Sequence, residues 1–554
     1  MHLRKSLQTR FPTSRNSIPA VVFFTTTLIL GWLILPDYGI SWDEFLQRRY
    51  GLMAYDHVVR TFGLDWQMYY PDYFLESTAG RQYSIIFSLI AAAFERVLSI
   101  DPADHYAQFQ LRHKMIFLLF WFSTICFYKI LKERFSENNT KPHGNSSVYF
   151  PLLGTLLLLL TPRIFGHSFF NPKDIVLLSF YIISLYTLLR FLKKTTLLTG
   201  FLHGIACAFV VNARTPGLIV PVLTIIFFLA FVIPKRHQLN RKAWTRFAGS
   251  NIIFVLTFVI FAIAFFPYLW GDFQGRAIES FNLMSNFPKE VSTLMFGQYV
   301  NNTPPPFYYP YAWMGVTLPL LNLFLLAMGL IWFTRALTLN LAKLKLWSSF
   351  AEFTDLIFFC FFTGPMFAVW LFQSTLYDGW RHLYFVYPPA LVLGLVFLYR
   401  ILTDKRKWVR QAGLAVTILS CLHTAAEMIK IHPHQQVYFN ELAGDNLMER
   451  FEMDYWGVAY KQAFEEIVRR DTTGQQIHVH CANQPCYDNY FALPEQIKSK
   501  IRMRYGIEVA TYYLSNYRWE HTMEKFCNGE YPFEDEYFSI KANGERIIGV
   551  YRVK

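Results

Sequence analysis

Apolar residues in this chain gather into long unbroken runs, and eleven of these are long enough to cross about 30 Å of hydrocarbon at about 1.5 Å per helical residue. They lie at 18–36, 112–132, 148–164, 174–192, 196–213, 216–234, 249–268, 313–334, 353–373, 383–402 and 409–430. Such runs predict transmembrane helices. A twelfth, 83–100, is interrupted by Glu95 and Arg96. After residue 430 the pattern changes to short alternating segments, such as Gln476–His480 and Arg546–Arg552, which predict strands. The expected architecture is a polytopic α-helical membrane protein of about eleven spans. Residues 1–430 form the membrane domain and 431–554 a small soluble α/β or α+β domain. No repeat of 20 to 50 residues is present, nor the paired broken helices of a transporter.

Loop charge sets the topology, because Lys and Arg concentrate on the cytoplasmic side. Arg4, Lys5, Arg10 and Arg15 precede the first run. That run is too long for a signal peptide and no small-residue cleavage site follows it, so it reads as an uncleaved span. Laying 83–100 along the outer surface as an amphipathic helix puts Lys129, Lys132, Arg134 and Lys141 inside. The later basic groups then alternate correctly: Arg190 with Lys193 and Lys194, Lys235 to Arg246, Arg335 with Lys343 and Lys345, and Arg400 to Arg410. The short opposite turns hold only Arg163, Lys173, Arg214 and Arg381. On this reading the N-terminus is cytoplasmic, the first outer loop runs from about 37 to 111, and the C-terminal domain lies outside.

The composition agrees. Over 554 residues the chain is 53% hydrophobic and only 16% charged, which excludes disordered, coiled-coil and soluble globular classes. Its net charge of +13 follows from the basic cytoplasmic loops and needs no nucleic-acid partner. Seven cysteines are too few for a disulfide scaffold. His478, His480, Cys481 and Cys486 could be read as zinc ligands, but outside the cytoplasm a Cys481–Cys486 disulfide or free thiols fits better, with Cys527 as a spare partner. The sequons at Asn138, Asn145 and Asn301 are taken as coincidental.

The outer face collects carboxylates and cations. Trp42-Asp43-Glu44 follows the first span; Pro162–Asp174, which contains His167 and Lys173, leads into the fourth; Asn212–Gly217 holds Arg214; and Tyr377–His382 holds Arg381. Each acid taken alone is also a good helix-start residue, and Arg214 alone could be an interfacial anchor. Together they suit a reaction in which cations hold an anionic phosphate leaving group while a carboxylate takes the acceptor's proton. The loop around Gly297–Tyr309, rich in proline and tyrosine, offers aromatic faces for a sugar or simply a stiff wall.

Trp42-Asp43-Glu44, the Pro162–Asp174 segment and Arg381-His382 through Pro389 resemble the membrane GT-C glycosyltransferases. The nearest branch is the phospholipid carrier-dependent one, which includes protein O-mannosyltransferases and lipid A aminoarabinose transferases. The resemblance covers roughly residues 18–402. It implies a sugar donor on a polyprenyl phosphate, attacked with inversion from the extracytoplasmic side of a bacterial plasma membrane, with a lipid, glycan or protein acceptor. By position Asp43 is similar to the first-loop catalytic acid, Glu44 to its companion, and Asp174 to the second-loop acid. Arg214 stands where relatives place a phosphate-contacting lysine, and Lys173, Arg381 and His382 are further candidates for the same phosphate. Juxtamembrane helices of the family correspond to 83–100. The motifs at His432–Asn440 and Arg450–Gly457 also resemble bacterial members, without an assigned role. Asp43, Glu44 and Asp174 could hold a divalent cation, but no Asp-x-Asp pair occurs in these loops and metal-independent action is expected. The competing reading is a transporter or flippase of lipid-linked sugars, for which His203, Asp355 and Glu427 are the polar residues in or near spans; a receptor or scaffold leaves the acidic loops unexplained.

Overall fold

The computed structural model describes residues 18–66, 69, 85–136, 146–234, 240–285, 292–518 and 533–553. Arg4, Lys5, Arg10, Arg15, Asn138, Lys141, Asn145, Lys235, Arg236 and Cys527 lie outside them. The membrane region comprises α1 (Ile18–Ile34), α2 (Glu44–Thr61), α3 (Ile86–Val97), α4 (His105–Ser136), α5 (Ser146–Leu159), α6 (Pro162–Phe170), α7 (Asp174–Lys193) and α8 (Leu197–Ala213). It continues with α9 (Ile219–Val232), α10 (Arg241–Ala264), α11 (Phe273–Ser285), α12 (Tyr309–Thr317), α13 (Leu320–Leu341), α14 (Phe350–Leu371), α15 (Tyr387–Leu402) and α16 (Lys407–Lys430). All eleven apolar runs are helical. Among the described residues nine helices are long and apolar enough to cross a membrane, ten if one bent pair counts as a span, and α8 is a shorter apolar helix. Large apolar side chains such as Val22 and Leu33 of α1, Ile260 of α10 and Leu422 of α16 are exposed. In water each would cost about 25 cal/mol per Å²; against lipid tails it costs nothing. The chain is an integral membrane protein.

Two runs depart from the expected single spans, and proline explains both. The run at 148–164 stops at Leu159, and α6 leaves at 71°, because Pro162 cannot donate to the preceding turn and holds Thr161 extended at φ −104°, ψ 95°. The run at 313–334 is split at Pro319 between α12 and α13, with Leu318 extended at ψ 143°. Helix α7 is apolar on every side and correspondingly central, packed by α4, α8 and the turn before α15. Between α13 and α15, a Cβ on Gly329 would lie 2.5 Å from the backbone of α15, so only glycine permits this crossing.

The run at 83–100 forms α3, with its polarity turned inward. Glu95 is buried, its carboxylate 2.9 Å from Arg48 of α2 and 2.7 Å from Arg112 of α4. Phe94, Val97 and Leu98 are exposed instead. A helix lying on a bilayer presents apolar residues outward and keeps its charge for the protein, so the interrupting acid is what clamps α3 down.

Beyond α16 come α17 (Leu447–Arg450), α18 (Tyr460–Arg470), α19 (Gln484–Phe491) and α20 (Glu495–Lys498). The strands are β1 (Ser292–Met295) and β2 (Gln298–Asn301), which form a hairpin, then β3 (Ile477–Cys481), β4 (Ile501–Met503), β5 (Tyr512–Ser515), β6 (Phe533–Ala542) and β7 (Glu545–Val553). The last five make a mixed sheet in the order β4-β3-β5-β7-β6; β3 runs parallel to β4 and β5, and β7 antiparallel to β5 and β6. Asn543 and Gly544, both at positive φ, turn the β6–β7 hairpin. Cys481 and Cys486 are disulfide-bonded, while His480 contacts the Arg504 carbonyl at 2.8 Å and His478 contacts the Arg504 guanidinium.

This domain is tied to the first outer loop. Asn489 of α19 accepts from Ile40 N at 2.9 Å and donates to Ile40 O at 2.9 Å and Gly457 O at 3.0 Å. Beside it burial pushes the Asp488 carboxyl up to about 7; a bond from Gln484 opposes the shift and the charge of Glu44 adds to it.

Two outcomes follow from these buried acids. Glu95→Gln leaves two arginines without a counter-charge and costs about 3–5 kcal/mol, read as a lower melting midpoint of the purified protein in detergent. Asp488 binds its proton in the folded state at pH values where the unfolded chain, with an acid near 3.8, has released it. Stability therefore falls as pH rises from about 4 to about 7, and Asp488→Asn flattens that slope in melting curves taken across the range.

Candidate functional site

The site is assembled from chain segments that each leave a membrane helix at the same end of the bundle. After α1 the backbone passes Gly39, where a Cβ would meet Val458 O at 2.3 Å, and reaches Ser41. Glu44 closes this turn: one carboxylate oxygen accepts from Ser41 N at 2.7 Å and Ser41 Oγ at 3.0 Å, and the other lies 2.8 Å from His113 Nε2. Consecutive residues at a helix start point about 100° apart, so Asp43 is turned the other way. There its Oδ2 accepts from Lys173 Nζ at 2.8 Å.

Lys173 and Asp174 are presented by an Asn171-Pro172 turn between α6 and α7. Asn171 Oδ1 accepts from Lys173 N at 3.0 Å and Asp174 N at 2.8 Å, as a helix-capping asparagine does. Its amide nitrogen reaches Asp174 Oδ2 at 3.0 Å and His167 Nδ1 at 2.9 Å. Asp174 thus sits at the positive end of α7. It is paired on one oxygen with Arg214 and on the other with Arg381 Nη1 at 3.2 Å. Arg381 also lies 3.6 Å from Asp378 and stacks over Tyr377 and Trp456, at 4.8 and 4.6 Å from the ring centres.

Exposure gives the cluster a front and a back. Asp174 and Arg381 side chains are 1% and 3% exposed, whereas Asp43, Lys173 and Arg214 are 21%, 14% and 20% exposed. The front row is Asp43 paired with Lys173, together with Arg214 on the neighbouring Asp174, and the back row fixes their positions. Burial alone would raise the Asp43 carboxyl, but the charges of Lys173 and Arg381 outweigh it and hold the group below its ordinary range. Asp43 is therefore ionised at neutral pH.

Of the residues expected from sequence, Asp43, Lys173, Asp174, Arg214 and Arg381 converge. His382 is buried beside them, its ring 4.8 Å from Tyr377. Glu44 is not brought into the cluster; it holds the turn that carries Asp43. Arg163 also stays apart, donating to Tyr438 O at 2.9 Å and stacking on Phe439 at 4.5 Å. Among the described residues no group of three or more His, Cys, Asp or Glu is arranged to hold a metal ion.

Sequence reasoning did not single out Asn171, Trp456, Asp378 or Arg518. Asp378 lies inside the Tyr377–His382 turn and Trp456 inside the Arg450–Gly457 motif; Arg518 carries no local signal. The other unassigned motif, His432–Asn440, is a strap behind the site. Gln435 accepts from Tyr38 Oη at 2.7 Å, Gln436 N passes 2.9 Å from where a Gly166 Cβ would be, and Asn440 caps α12 through Gly315 O and Leu318 O at 2.7 and 2.6 Å. Nearby, an open apolar groove of about 510 Å³ runs between Pro305 and Phe307 on one side and Phe362, Met366, Phe367 and Trp370 of α14 on the other. It reaches Leu376, the neighbour of Tyr377.

No family model matches the chain, and no curated protein matches it. Among solved structures it is similar to ArnT from Cupriavidus metallidurans in the apo state, with 9% identity and a TM-score of 0.43 over 96% of this chain and 98% of that one. It is also similar to the archaeal oligosaccharyltransferase AglB from Archaeoglobus fulgidus in complex with an inhibitory peptide and a dolichol-phosphate, with 13% identity and a TM-score of 0.44 over 92% of this chain and 71% of that one.

The back row predicts a structural phenotype. Asp174→Asn leaves Arg214 and Arg381 facing each other across a neutral amide and lowers stability by about 3–5 kcal/mol, measured by thermal unfolding in detergent. Asp43→Asn, at the exposed front, leaves the melting midpoint within a few degrees of wild type.

Proposed function

We propose that the protein is a membrane glycosyltransferase that moves a sugar from a polyprenyl-phosphate donor to a hydroxyl or amine of a lipid, glycan or protein acceptor. The reaction takes place on the extracytoplasmic face of a bacterial plasma membrane and inverts the anomeric centre. One observation carries the reading: a carboxylate, Asp43, stands partly exposed and paired with Lys173, whose neighbour Asp174 is paired with the equally exposed Arg214, at one end of the helix bundle. On this reading the acceptor attacks the anomeric carbon from the side opposite the phosphate. The new C–O bond forms as the bond to the phosphate oxygen breaks, and the acceptor's proton passes to Asp43. The phosphate leaves as an anion without needing a proton, and its charge is met by Lys173 and Arg214. Asp174 and Arg381 keep the two cations and the base in register, and His382 lines the same wall.

The apolar groove lined by Leu376 supports a lipid-borne donor, since it offers a hydrocarbon chain an apolar wall that adjoins Tyr377, the ring under Arg381. The orientation rests on the basic residues of the predicted cytoplasmic loops. The transporter reading finds less support: His203 is bonded to Thr187 and Thr224 at 2.9 Å each, Asp355 to Arg134 at 2.6 Å, and Glu427 lies 3.7 Å from Lys430, so each is satisfied locally.

Asp43→Asn is expected to lower sugar transfer in isolated membranes by 10²–10⁴-fold at unchanged protein level; transfer at the wild-type rate overturns the assignment. The carboxylates Asp43 and Asp174 are already committed to Lys173 and to arginines, so the reaction is expected to run without a bound divalent cation. Dialysis against EDTA then leaves the rate unchanged, and loss of activity that Mg²⁺ or Mn²⁺ restores argues for a metal site.

A further inference from the structure

The C-terminal domain reaches into the cluster through one residue. Arg518, three residues past the end of β5, donates from Nη2 to both oxygens of Asp378 at 3.1 Å and from Nη1 to Tyr455 O at 2.6 Å. It is almost completely buried. On its far side Asp378 is 3.6 Å from Arg381, which pairs with Asp174. The same guanidinium lies over the indole of Trp42, 5.3 Å from its centre, and Trp42 immediately precedes Asp43. Trp42 N in turn donates to Trp456 O at 3.0 Å, and the ring of Trp456 covers Arg381.

Asp378 and Gly379 both adopt positive φ, 55° and 77°. A left-handed aspartate costs conformational energy and persists where its surroundings hold it. The surroundings here are a two-point contact from Arg518 and a bond from Asp378 N to Thr293 Oγ1 at 3.3 Å. That backbone turn is what aims Arg381 at Asp174.

We infer that Arg518 is a positioning residue for the transfer reaction: by gripping Asp378 and covering Trp42 it sets the base, Asp43, and the cation cluster, Arg381–Asp174, in register with each other. The C-terminal domain is thereby part of the active site. The inference rests on the glycosyltransferase reading and adds to it the group that couples the two arms. A lysine cannot replace Arg518, because the planar guanidinium puts Nη2 on the Asp378 carboxylate and Nη1 on Tyr455 O at the same time, whereas an ammonium offers a point charge.

The test compares Arg518→Lys, Asp378→Asn, the double variant and Asp43→Asn, all as full-length protein in detergent. Each is read three ways: melting midpoint, binding of a C55 polyprenyl phosphate by tryptophan quenching, and sugar transfer using a lipid extract of the native membranes as donor and acceptor source. Arg518→Lys is expected to lower transfer at least tenfold while polyprenyl-phosphate binding changes less than threefold. The double variant is expected to lose no more transfer than the worse single, because both break the same contact. Transfer within twofold of wild type overturns the inference, and so does an equal loss of binding and transfer, which marks a general defect of the fold. If Arg518→Lys fails to accumulate, Asp378→Asn reads the same contact from the other partner by the same criteria. Asp43→Asn separates the two levels: if it transfers normally the glycosyltransferase reading fails, and if it is inactive while Arg518→Lys is active only the positioning role fails.

Discussion

A carboxylate with almost no solvent contact, Asp174, is held between two guanidinium groups that arrive from different parts of the chain. Removing any one of these charges from water costs several kcal/mol, and that penalty is met only while all three remain together. An exposed pair of the same chemical type, such as Arg406 with Asp404, keeps its hydration and contributes little. The buried triad therefore fixes the relative placement of α7, the turn after α8 and the turn before α15. Lys173 is carried with it, being the residue before Asp174, and Asp43 follows through its contact with Lys173. Such a frame holds Asp43, Lys173 and Arg214 partly exposed at its edge, with Lys173 paired to Asp43 and Arg214 to Asp174.

Two local devices make the frame possible. The break at Pro162 lets the chain turn out of the fifth helix and return through α6 to the Asn171 turn. An unbroken span would have carried His167, Asn171 and Asp174 past one another along a single axis. The strap at 432–440 then fills the space behind α6, where Gly166 allows the backbones to touch. Polar residues that look functional in isolation, such as Arg163 and Gln435, are absorbed here as walls.

The helices were legible because hydrocarbon imposes a length and a composition that no loop imitates. Asp43, Lys173, Asp174, Arg214 and Arg381 were legible for a related reason, since a charge at the mouth of an apolar run stands against its background. Glu44 satisfies the same criterion, yet it is aimed at His113; adjacency along a chain does not imply a shared direction at a helix start. The breaks at Pro162 and Pro319 had a signal, the proline itself, which the hydrophobic pattern overrode. Arg518 and Trp456 had none. Their partners lie 140 and 75 residues away; Arg518 is placed by following β5 of the mixed sheet and Trp456 by packing against Tyr38 and Phe170, which no local pattern encodes.

Leu376, which lines the apolar groove, and Tyr377, against Arg381 and His382, are joined by a single peptide bond. An occupant of the groove therefore touches the residue next to the turn that carries Arg381. The groove between Phe307 and Trp370 thus offers a place to reach the charged cluster with an apolar compound that never approaches Asp43.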